Sequence, residues 1–262
     1  MFKVPDHQVA GHVGPLVDDS GRFYKPLQNN ERGTKEVAFY TSFSANSKIP
    51  THVRRYFPIY HGTQFLEASD GSGTHPHLVL QDIVSNRQNP CVMDIKMGSR
   101  TWYPQASEDY ITRCFQKDRE STSVPLGFKI CGLQTYDSEK RGYWKSQKDV
   151  VKKFTVDDVN LTLKRFVSCN PMSDAVPDCL RATEVYGGSD GILAQLLELK
   201  AWFEDQTIYH FNSCSILMVH DRSGAQVKLV DFAHVVDGEG VIDHNFLGGL
   251  CVLIKFVSDI LE

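Results

Sequence analysis

The order of apolar and polar positions along the chain predicts short strands in both halves. A turn signal at residues 18–21 precedes residues 22–27, which alternate like the returning strand of a hairpin. Residues 78–84 form an apolar run that turns polar at its end. Further on, the turn signal at residues 221–224 joins two apolar runs, residues 215–220 and 226–231, and so predicts a second hairpin.

Five segments are predicted to be helical. They are residues 34–43, 107–118, 155–167, 190–203 and 243–257. In the third, Thr155 is suited to cap the helix, and Asp157 and Asp158 follow in its first turn. Strands and helices mixed in this way are typical of the α/β (α+β) class.

The composition excludes several classes of protein. The chain has 262 residues, enough for one large domain or two modest lobes. With 41% hydrophobic and 23% charged residues, it is neither disordered nor a fibrous repeat. The net charge of -4 disfavours nucleic-acid binding by the whole surface. Since no apolar run approaches membrane-spanning length, we expect no membrane span.

The cysteines indicate a reducing compartment. There are seven, they are scattered, and none forms a Cys-x-x-Cys pair, so neither a disulfide framework nor a zinc site is expected. We therefore expect the protein in the nucleus and cytoplasm. The basic run at residues 140–153 fits a solvated face, a nuclear-targeting signal or a phosphate-collecting patch, and the sequence does not choose among them.

Two acids directly follow apolar runs that are typical of buried strands. Asp94 follows residues 91–93 and Asp231 follows residues 229–230. Lys96 comes two residues after Asp94, and strand alternation places both side chains on one face. Because a lysine neutralises phosphate charge and an acid holds Mg²⁺, the two motifs together favour phosphoryl transfer. The alternative for either motif alone is a polar strand end that serves solubility.

A second lysine and a glutamate extend this chemistry. Lys25 lies in a predicted strand and Glu36 in the first turn of the helix that follows. In protein kinases a strand lysine paired with a helix glutamate holds the α- and β-phosphates of ATP. We expect an ion pair between them, although a surface lysine and glutamate are common and the pair alone decides nothing.

The motif Pro90-x-x-x-Asp94-x-Lys96-x-Gly98 resembles the signature of the inositol polyphosphate kinase family. Four further segments resemble the family in the same order along the chain. They are residues 7–12, 36–40, 214–217 and 230–234. The resemblance covers essentially the whole chain and is closest to the family's short plant forms.

The resemblance implies a two-lobed, protein-kinase-like, ATP-grasping α/β (α+β) fold without the usual glycine-rich loop. Gly11 and Gly14 agree with that, since they do not form Gly-x-Gly-x-x-Gly. The implied lobes are residues 1–82, which bind ATP, and residues 83–262. The second lobe would contain a short inositol-phosphate-binding helical insert at about residues 99–125.

The resemblance also implies roles for individual residues at the nucleotide. Lys25, paired with Glu36, would contact the ATP phosphates. The backbone of Gln81, Asp82 and Ile83 would bind adenine. Asp231 and Ser215 would hold Mg²⁺, for which Mn²⁺ could substitute.

The remaining implied roles concern the acceptor. Lys96 would meet the transferred phosphate and the inositol substrate, and Arg113, Lys117 and His234 would bind further substrate phosphates. Asp94 would act either as the base for the attacking hydroxyl or as the anchor of the ATP ribose. Both roles need an ionised carboxylate, so spacing does not separate them.

The implied reaction is transfer of the ATP γ-phosphate to hydroxyls of inositol 1,4,5-trisphosphate and tetrakisphosphate. Phosphorylation at the 3- and 6-positions would give inositol pentakisphosphate, and we expect the enzyme to be a monomer. The alternatives are a phosphoinositide headgroup kinase, a nucleotide-binding scaffold and a transcription-linked protein. A protein kinase is disfavoured because the sequence has neither His-Arg-Asp nor Ala-Pro-Glu.

Overall fold

The structure is a computed structural model that describes residues 1–11, 14–28, 31–67, 71, 73–173 and 175–262. His12, in the first of the family segments, lies outside these ranges. The strands are β1 (Leu16–Val17), β2 (Arg22–Pro26), β3 (Tyr60–Glu67), β4 (Thr74–Gln81), β5 (Cys91–Met97), β6 (Phe128–Asp137), β7 (Gly142–Lys145), β8 (Tyr209–Phe211), β9 (Ser215–Asp221), β10 (Gly224–Val230) and β11 (Val235–Asp237). The helices are α1 (Glu31–Ala45), α2 (Thr51–Arg54), α3 (Glu108–Arg119), α4 (Ser123–Leu126), α5 (Lys148–Val151), α6 (Val156–Phe166), α7 (Ala182–Val185), α8 (Ile192–Asp205) and α9 (His244–Leu261).

The strands form two main sheets. One has the order β1-β2-β4-β3 and the other the order β10-β9-β5-β6-β7, while β11 and β8 pair separately. The first sheet ends with Gln81 and the second begins, in chain order, with Cys91. The predicted α/β (α+β) class is therefore confirmed. The expected boundary between residues 82 and 83 falls in the connection between the sheets, and as a division into two lobes it stays a prediction.

The five helices predicted from the sequence are present, and three have side-chain caps, of which the Thr155 cap was predicted. Ser107 accepts a hydrogen bond from the backbone N–H of Tyr110 at the start of α3. Thr155 and Asp158 form a reciprocal capping box at the start of α6. Asp243 accepts from the backbone N–H of Phe246 at the start of α9. Each cap satisfies backbone donors that the first turn of a helix leaves without partners.

Helix α9 corrects one expectation. It has 18 residues with a mean hydropathy of 1.4, so by length and composition alone it is apolar enough to cross a membrane. The statement that no apolar run approaches that length is therefore wrong. However, α9 buries Phe246, Leu250, Leu253 and Val257 in the main core, where it packs against α8. About 28% of the helix is buried, and a single helix of this length and composition is weak evidence, so no membrane span is assigned.

An aromatic cluster joins α1 to the end of β10. Phe232, which directly follows Asp231, is only 1% exposed. Its ring centroid lies 4.4 Å from that of Phe39 and 5.3 Å from that of Tyr40, both on α1. Aromatic side chains bury large apolar areas in such contacts. The packing of Phe232 therefore fixes the position of Asp231 relative to α1.

Candidate active site

Two cavities open off the cleft between the sheets. The first, here called the apolar cavity, has a volume of about 170 Å³ and is lined by hydrophobic side chains of both sheets. These include Leu80, Val92, Leu217 and Val230. The second, here called the polar cavity, has a volume of about 410 Å³ and is lined by several ammonium groups. They belong to Lys25, Lys96, Lys117 and Lys129.

Four charged residues line both cavities, and we call them the shared wall: Lys25, Glu36, Asp94 and Asp231. All four were predicted from the sequence as site residues. They come from β2, α1, β5 and the residue after β10, so the fold brings together positions far apart in the chain. Anything that spans the two cavities must pass this wall.

Lys25 joins two carboxylates of the shared wall. Its Nζ lies 2.9 Å from Glu36 Oε1 and 2.7 Å from Asp231 Oδ1. The predicted ion pair of Lys25 with Glu36 is therefore confirmed. Burial by itself would lower the pKa of Lys25, but the two carboxylates outweigh burial and raise that pKa above its ordinary value. Lys25 thus stays an ammonium inside the cleft.

Asp231 is held in an uncommon backbone conformation. Its φ is 69°, in the left-handed region that few residues other than glycine adopt. The next N–H, that of Phe232, donates to Glu36 Oε1 at 3.2 Å. Backbone strain of this kind persists only where the surroundings enforce it. Here the Phe232 ring and the Glu36 carboxylate do so, and they turn the Asp231 carboxylate towards Lys25.

Asp94 is a buried carboxylate at the centre of the second sheet. It is 8% exposed, and its Oδ1 is buried with no hydrogen-bond partner among the residues that the structure describes. Burial first, and the negative charge of Asp231 second, raise the pKa of Asp94 to about 6, against the lowering influence of Ser215, Lys96 and Lys25. An acid with this pKa is able to exchange a proton near neutral pH.

Strand register explains why Lys96 and Ser215 meet Asp94 on one face. On β9, Ser215 is the cross-strand partner of Lys96, and Leu217 is the partner of Asp94. Cross-strand partners share a face of the sheet. Lys96 and Ser213 both line the polar cavity, and Lys96 Nζ donates to Ser213 Oγ over a distance of 3.0 Å.

Gln81, Asp82 and Ile83, at the end of β4 and directly after it, line the apolar cavity, but two of their three N–H groups are already used. The N–H of Gln81 donates to Ile59 O at 2.8 Å, and the N–H of Asp82 donates to Gly21 O at 2.8 Å. In the part of the chain that the structure describes, the N–H of Ile83 makes no hydrogen bond. Of the three predicted adenine contacts, Ile83 is therefore the backbone donor that remains.

The residues predicted to bind substrate phosphates separate into two places. Lys117 and His234 line the polar cavity with Lys96. Arg113 lies one turn before Lys117 on α3 and lines a separate depression outside the polar cavity. Tyr110 and His234 line both this depression and the polar cavity. The structure thus brings Lys117 and His234 to the shared wall and leaves Arg113 at the outer side.

Two tyrosines of the insert hold His234. Tyr110 Oη lies 3.3 Å from His234 Nε2, and the ring of Tyr103 stacks on the imidazole at 5.3 Å between centroids. Burial first, and then the cations Arg32, Lys96 and Lys35, lower the pKa of His234 to about 4. His234 is therefore neutral at physiological pH. It offers a hydrogen bond rather than a charge.

The N-terminal segment, residues 7–11, lines the apolar cavity, a position that sequence reasoning missed. This segment crosses the face of the second sheet. A Cβ on Gly132 would lie only 2.1 Å from Val9 O, so this crossing requires glycine. Gly132 is the cross-strand partner of Asp94, which places the crossing beside the shared wall. In the sequence, this segment was indicated only by the family motif at residues 7–12.

Other missed residues are polar groups of the polar cavity. Lys129 is the cross-strand partner of Lys96 on β6, and Gln28, Arg32 and Tyr110 line the same cavity. Alternation along β6 could have indicated Lys129. Tyr110, Gln28 and Arg32 carry no local signal, because only the tertiary fold brings them to the site.

Oxygen ligands suited to a divalent cation lie at the shared wall. In the described parts of the chain, Ser215 Oγ and Asp94 Oδ1 are buried without hydrogen bonds, and both residues line the polar cavity with Asp231. Among the described residues, no group of three or more His, Cys, Asp or Glu side chains could hold an ion by itself. A few protein oxygens fit Mg²⁺ or Mn²⁺, which take further ligands from phosphate and water.

Comparisons with known proteins agree with this geometry. A family model described as inositol polyphosphate kinase matches residues 77–258. Inositol polyphosphate multikinase beta of Arabidopsis thaliana is 56% identical over an alignment 283 positions long, which covers 100% of this chain and 94% of that protein. Inositol polyphosphate multikinase IPK2 of Oryza sativa subsp. indica is 49% identical, over 99% of this chain and 94% of that protein.

Solved structures confirm the predicted kinase-like fold. One inositol phosphate multikinase superposes with a TM-score of 0.75 and 52% identity, over 86% of this chain and 99% of that one. The S. cerevisiae inositol phosphate multikinase, solved with ADP and Mn²⁺, superposes with a TM-score of 0.69 and 19% identity, over 92% of this chain and 99% of that one. The chain therefore belongs to the inositol polyphosphate kinase family.

Proposed function

We propose that the protein transfers the γ-phosphate of ATP to hydroxyls of inositol 1,4,5-trisphosphate and inositol tetrakisphosphate. The observation that carries this proposal is the shared wall, where Lys25, Glu36, Asp94 and Asp231 face an apolar cavity on one side and a basic cavity on the other. A planar base suits the apolar cavity, and a ring with several phosphates suits the basic one. The two reactants then meet at the wall.

In this proposal the nucleotide occupies the apolar cavity. The Ile83 N–H donates to the adenine ring, and Lys25 moves from Asp231 towards the α- and β-phosphates while it keeps Glu36. Support comes from the S. cerevisiae relative, which was solved with ADP. Positioning of the phosphates by Lys25 then supplies part of the rate enhancement.

The divalent cation, Mg²⁺ or Mn²⁺, would be held by Asp231 and Ser215. When bound it supplies charge neutralisation at the phosphate oxygens. The S. cerevisiae relative was solved with Mn²⁺, which supports a cation at this wall without choosing between the two metals. Asp231 is the carboxylate that turns towards Lys25, so the cation would take the place at Asp231 that the ammonium leaves.

The acceptor inositol phosphate would occupy the polar cavity. Lys96, Lys117 and Lys129 would neutralise its phosphates, and His234 would offer a hydrogen bond. Arg113 would contact a phosphate at the outer side. Charge-assisted contacts of this kind hold a polyphosphate in one orientation and so select the hydroxyl that reacts.

Asp94 lies where either of its two predicted roles could be performed. It faces the polar cavity, where the attacking hydroxyl would lie, and the apolar cavity, where a ribose would lie. A pKa of about 6 suits a group that receives a proton during the transfer. A ribose anchor would equally use the ionised form, so both roles stay part of the proposal.

We further propose phosphorylation at the 3- and 6-positions, which would give inositol pentakisphosphate, by a monomer in the nucleus and cytoplasm. The Arabidopsis and rice relatives are named multikinases, which supports more than one acceptor position. A scaffold without activity is disfavoured because all four charged residues of the shared wall are in place. A phosphoinositide headgroup presents similar phosphates and is the second acceptor to test.

The test is a transfer assay with purified protein, ATP, Mg²⁺ and inositol 1,4,5-trisphosphate, with product isomers resolved by chromatography. The proposal expects tetrakisphosphate followed by pentakisphosphate. A parallel reaction replaces the soluble acceptor with vesicles containing phosphatidylinositol 4,5-bisphosphate. A single tetrakisphosphate would restrict the activity to one position. Transfer to vesicles alone, or none with intact ADP binding, would overturn the proposed acceptor.

A further inference from the structure

Lys228 is a buried lysine that the site described above does not use. It lies on β10 and is 4% exposed. Within the described residues it forms no salt bridge with a carboxylate. Burial and the nearby positive charge of Arg55 lower the pKa of Lys228 to about 8, with no acid to oppose them. Because a buried cation without a counter-ion is costly, its retention calls for a local reason.

The ammonium of Lys228 is held by two acceptors from the other side of the cleft. Nζ donates to Arg55 O at 2.6 Å and to Gln81 Oε1 at 3.5 Å. Arg55 follows α2, and Gln81 ends β4, so both belong to the part of the chain that builds the first sheet. Lys228 therefore connects the second sheet to two points that precede the connection between the two sheets.

Backbone hydrogen bonds run beside these contacts. The N–H of Leu229 donates to Tyr56 O at 2.7 Å, and the N–H of Gln81 donates to Ile59 O at 2.8 Å. Together with Lys228, they fasten residues 55–59 between β10 and the end of β4. The end of β4 leads directly into the segment that carries the Ile83 N–H.

Lys228 also lies beside the apolar cavity, on the face of the second sheet that the cavity uses. Its cross-strand partner on β9 is Leu217, and Val230 follows two residues later on the same face. Leu217, Val230 and Gln81 all line the apolar cavity. The side chain that holds Gln81 is therefore part of the support of the cavity wall, although it does not line the cavity itself.

We propose that Lys228 is a positioning residue for the nucleotide, which acts by holding Gln81 and the Arg55 carbonyl so that Ile83 presents its N–H to the base. This inference rests on the proposed binding of ATP in the apolar cavity. It assigns the buried cation an effect on nucleotide affinity that is separate from the inositol phosphate. Lys25, Lys96 and Lys117 face the phosphates, whereas Lys228 supports the opposite end of the nucleotide.

The test compares Lys228→Met, Lys228→Arg and the surface control Lys255→Met. Lys255 pairs only with Asp259 on the exposed side of α9. We expect Lys228→Met to raise the Kd for ADP and the KM for ATP about tenfold, as for the loss of a hydrogen bond to a charged group. The KM for inositol 1,4,5-trisphosphate should stay within about twofold. Lys228→Arg, which keeps the donors, should restore most of the ADP affinity.

A double-mutant cycle of Lys228→Met and Gln81→Met distinguishes positioning of the nucleotide from general destabilisation of the protein. If Lys228 acts through Gln81, the double variant should have nearly the ADP affinity of Lys228→Met alone. Equal changes in the KM of both substrates, or unchanged ADP affinity in folded Lys228→Met, would overturn the inference. If Lys228→Met does not fold, Lys228→Arg and Gln81→Met decide, and wild-type ADP affinity in Gln81→Met would also overturn it.

ADP binding needs no acceptor, so this experiment is independent of the transfer assay. A wild-type protein that binds ADP without phosphorylating an inositol phosphate would contradict the proposed acceptor and leave the Lys228 measurement intact. A wild-type protein that does not bind ADP would overturn both.

Discussion

The ammonium of Lys25 lies 2.7 Å from Asp231 Oδ1 and links the two sheets across the cleft. Lys25 comes from β2 and Asp231 from the residue after β10, and Glu36 completes the contact from α1. In the proposed reaction a cation and ATP phosphates enter the same place. Since Lys25 keeps Glu36 when it leaves Asp231, the site can exchange one partner of the ammonium without leaving that charge unpaired.

The first prediction concerns Asp231→Asn. Asparagine tolerates the left-handed backbone at φ 69°, and Lys25 still pairs with Glu36, so the fold should be retained. Loss of the carboxylate should reduce turnover more than about 100-fold, equivalent to about 2.7 kcal/mol. Titration of ADP with and without Mg²⁺ should show that the metal no longer strengthens binding. Asp259→Asn on α9 is the control, and wild-type turnover in Asp231→Asn would contradict the metal assignment.

The second prediction concerns Lys96→Ala. Lys96 lies beside Asp94 and Asp231, whose negative charges help to keep its pKa raised despite burial, so it is an ammonium in the polar cavity. Its removal should lower turnover by more than about 100-fold, or about 2.7 kcal/mol, because the variant lacks one positive charge at the transferred phosphate. Steady-state kinetics on folded protein measures this. A loss of only a few-fold, like that expected of Lys255→Ala, would show that the central assignment is wrong.

The third prediction concerns Asp94→Asn, which should lower turnover and raise the free energy of unfolding. The buried Oδ1 of Asp94 has no hydrogen-bond partner among the described residues, and the carboxylate is exposed to the negative charge of Asp231. A pKa raised from 3.8 to about 6 means that ionised Asp94 costs the folded state about 3 kcal/mol at neutral pH. Asparagine should therefore raise the free energy of unfolding by about 1–3 kcal/mol while turnover falls sharply. Urea unfolding at pH 7.5 measures the first effect, and a destabilised variant would contradict it.

The fourth prediction is the pH dependence of that gain. Because the folded-state pKa of Asp94 is raised, its protonated form stabilises the fold fully below about pH 4, and this contribution is lost as pH rises through about 6. The advantage of Asp94→Asn should thus be small at pH 4 and grow to its full value by pH 7. Unfolding curves of both proteins at matched pH values test this without substrates. An advantage that does not change with pH would place the effect in packing rather than in ionisation.

Local sequence signals predicted much of the framework. The capping residues Ser107, Thr155 and Asp243 mark helix starts that the structure confirms, and the turn at residues 221–224 joins β9 to β10. These features depend on neighbours a few residues apart, which the chain itself displays. For the same reason strand alternation placed Asp94 and Lys96 on one face.

Features that depend on distant contacts were not accessible in this way. Arg113 and Lys117 share a helical face at i, i+4, yet of the two only Lys117 lines the polar cavity, while Arg113 lines a separate depression that shares Tyr110 and His234 with that cavity. The hydrogen bonds that occupy the N–H groups of Gln81 and Asp82 likewise come from other loops. Short elements such as α2, α4 and β7 have too few residues to show a period.

The last prediction uses Gly132, whose missing side chain lets residues 7–11 cross beside Asp94. A Cβ there would lie 2.1 Å from Val9 O, a backbone atom that cannot turn aside. Gly132→Ala should displace this segment, with a cost of about 1–3 kcal/mol, and raise the KM for ATP because the segment walls the apolar cavity. Differential scanning calorimetry and ATP kinetics measure the two effects.

Gly248→Ala on α9 is the matched control for this substitution. A Cβ at Gly248 meets no atom within 4 Å, so alanine should leave the ATP kinetics unchanged and stabilise the helix by about 0.5–1 kcal/mol. Gly132→Ala and Gly248→Ala add the same methyl group, and only the first displaces residues 7–11. If both variants keep the wild-type KM for ATP, these residues are not a working wall of the nucleotide cavity. An increase confined to Gly132→Ala would mean that the glycine is required because the N-terminal segment closes the site beside Asp94.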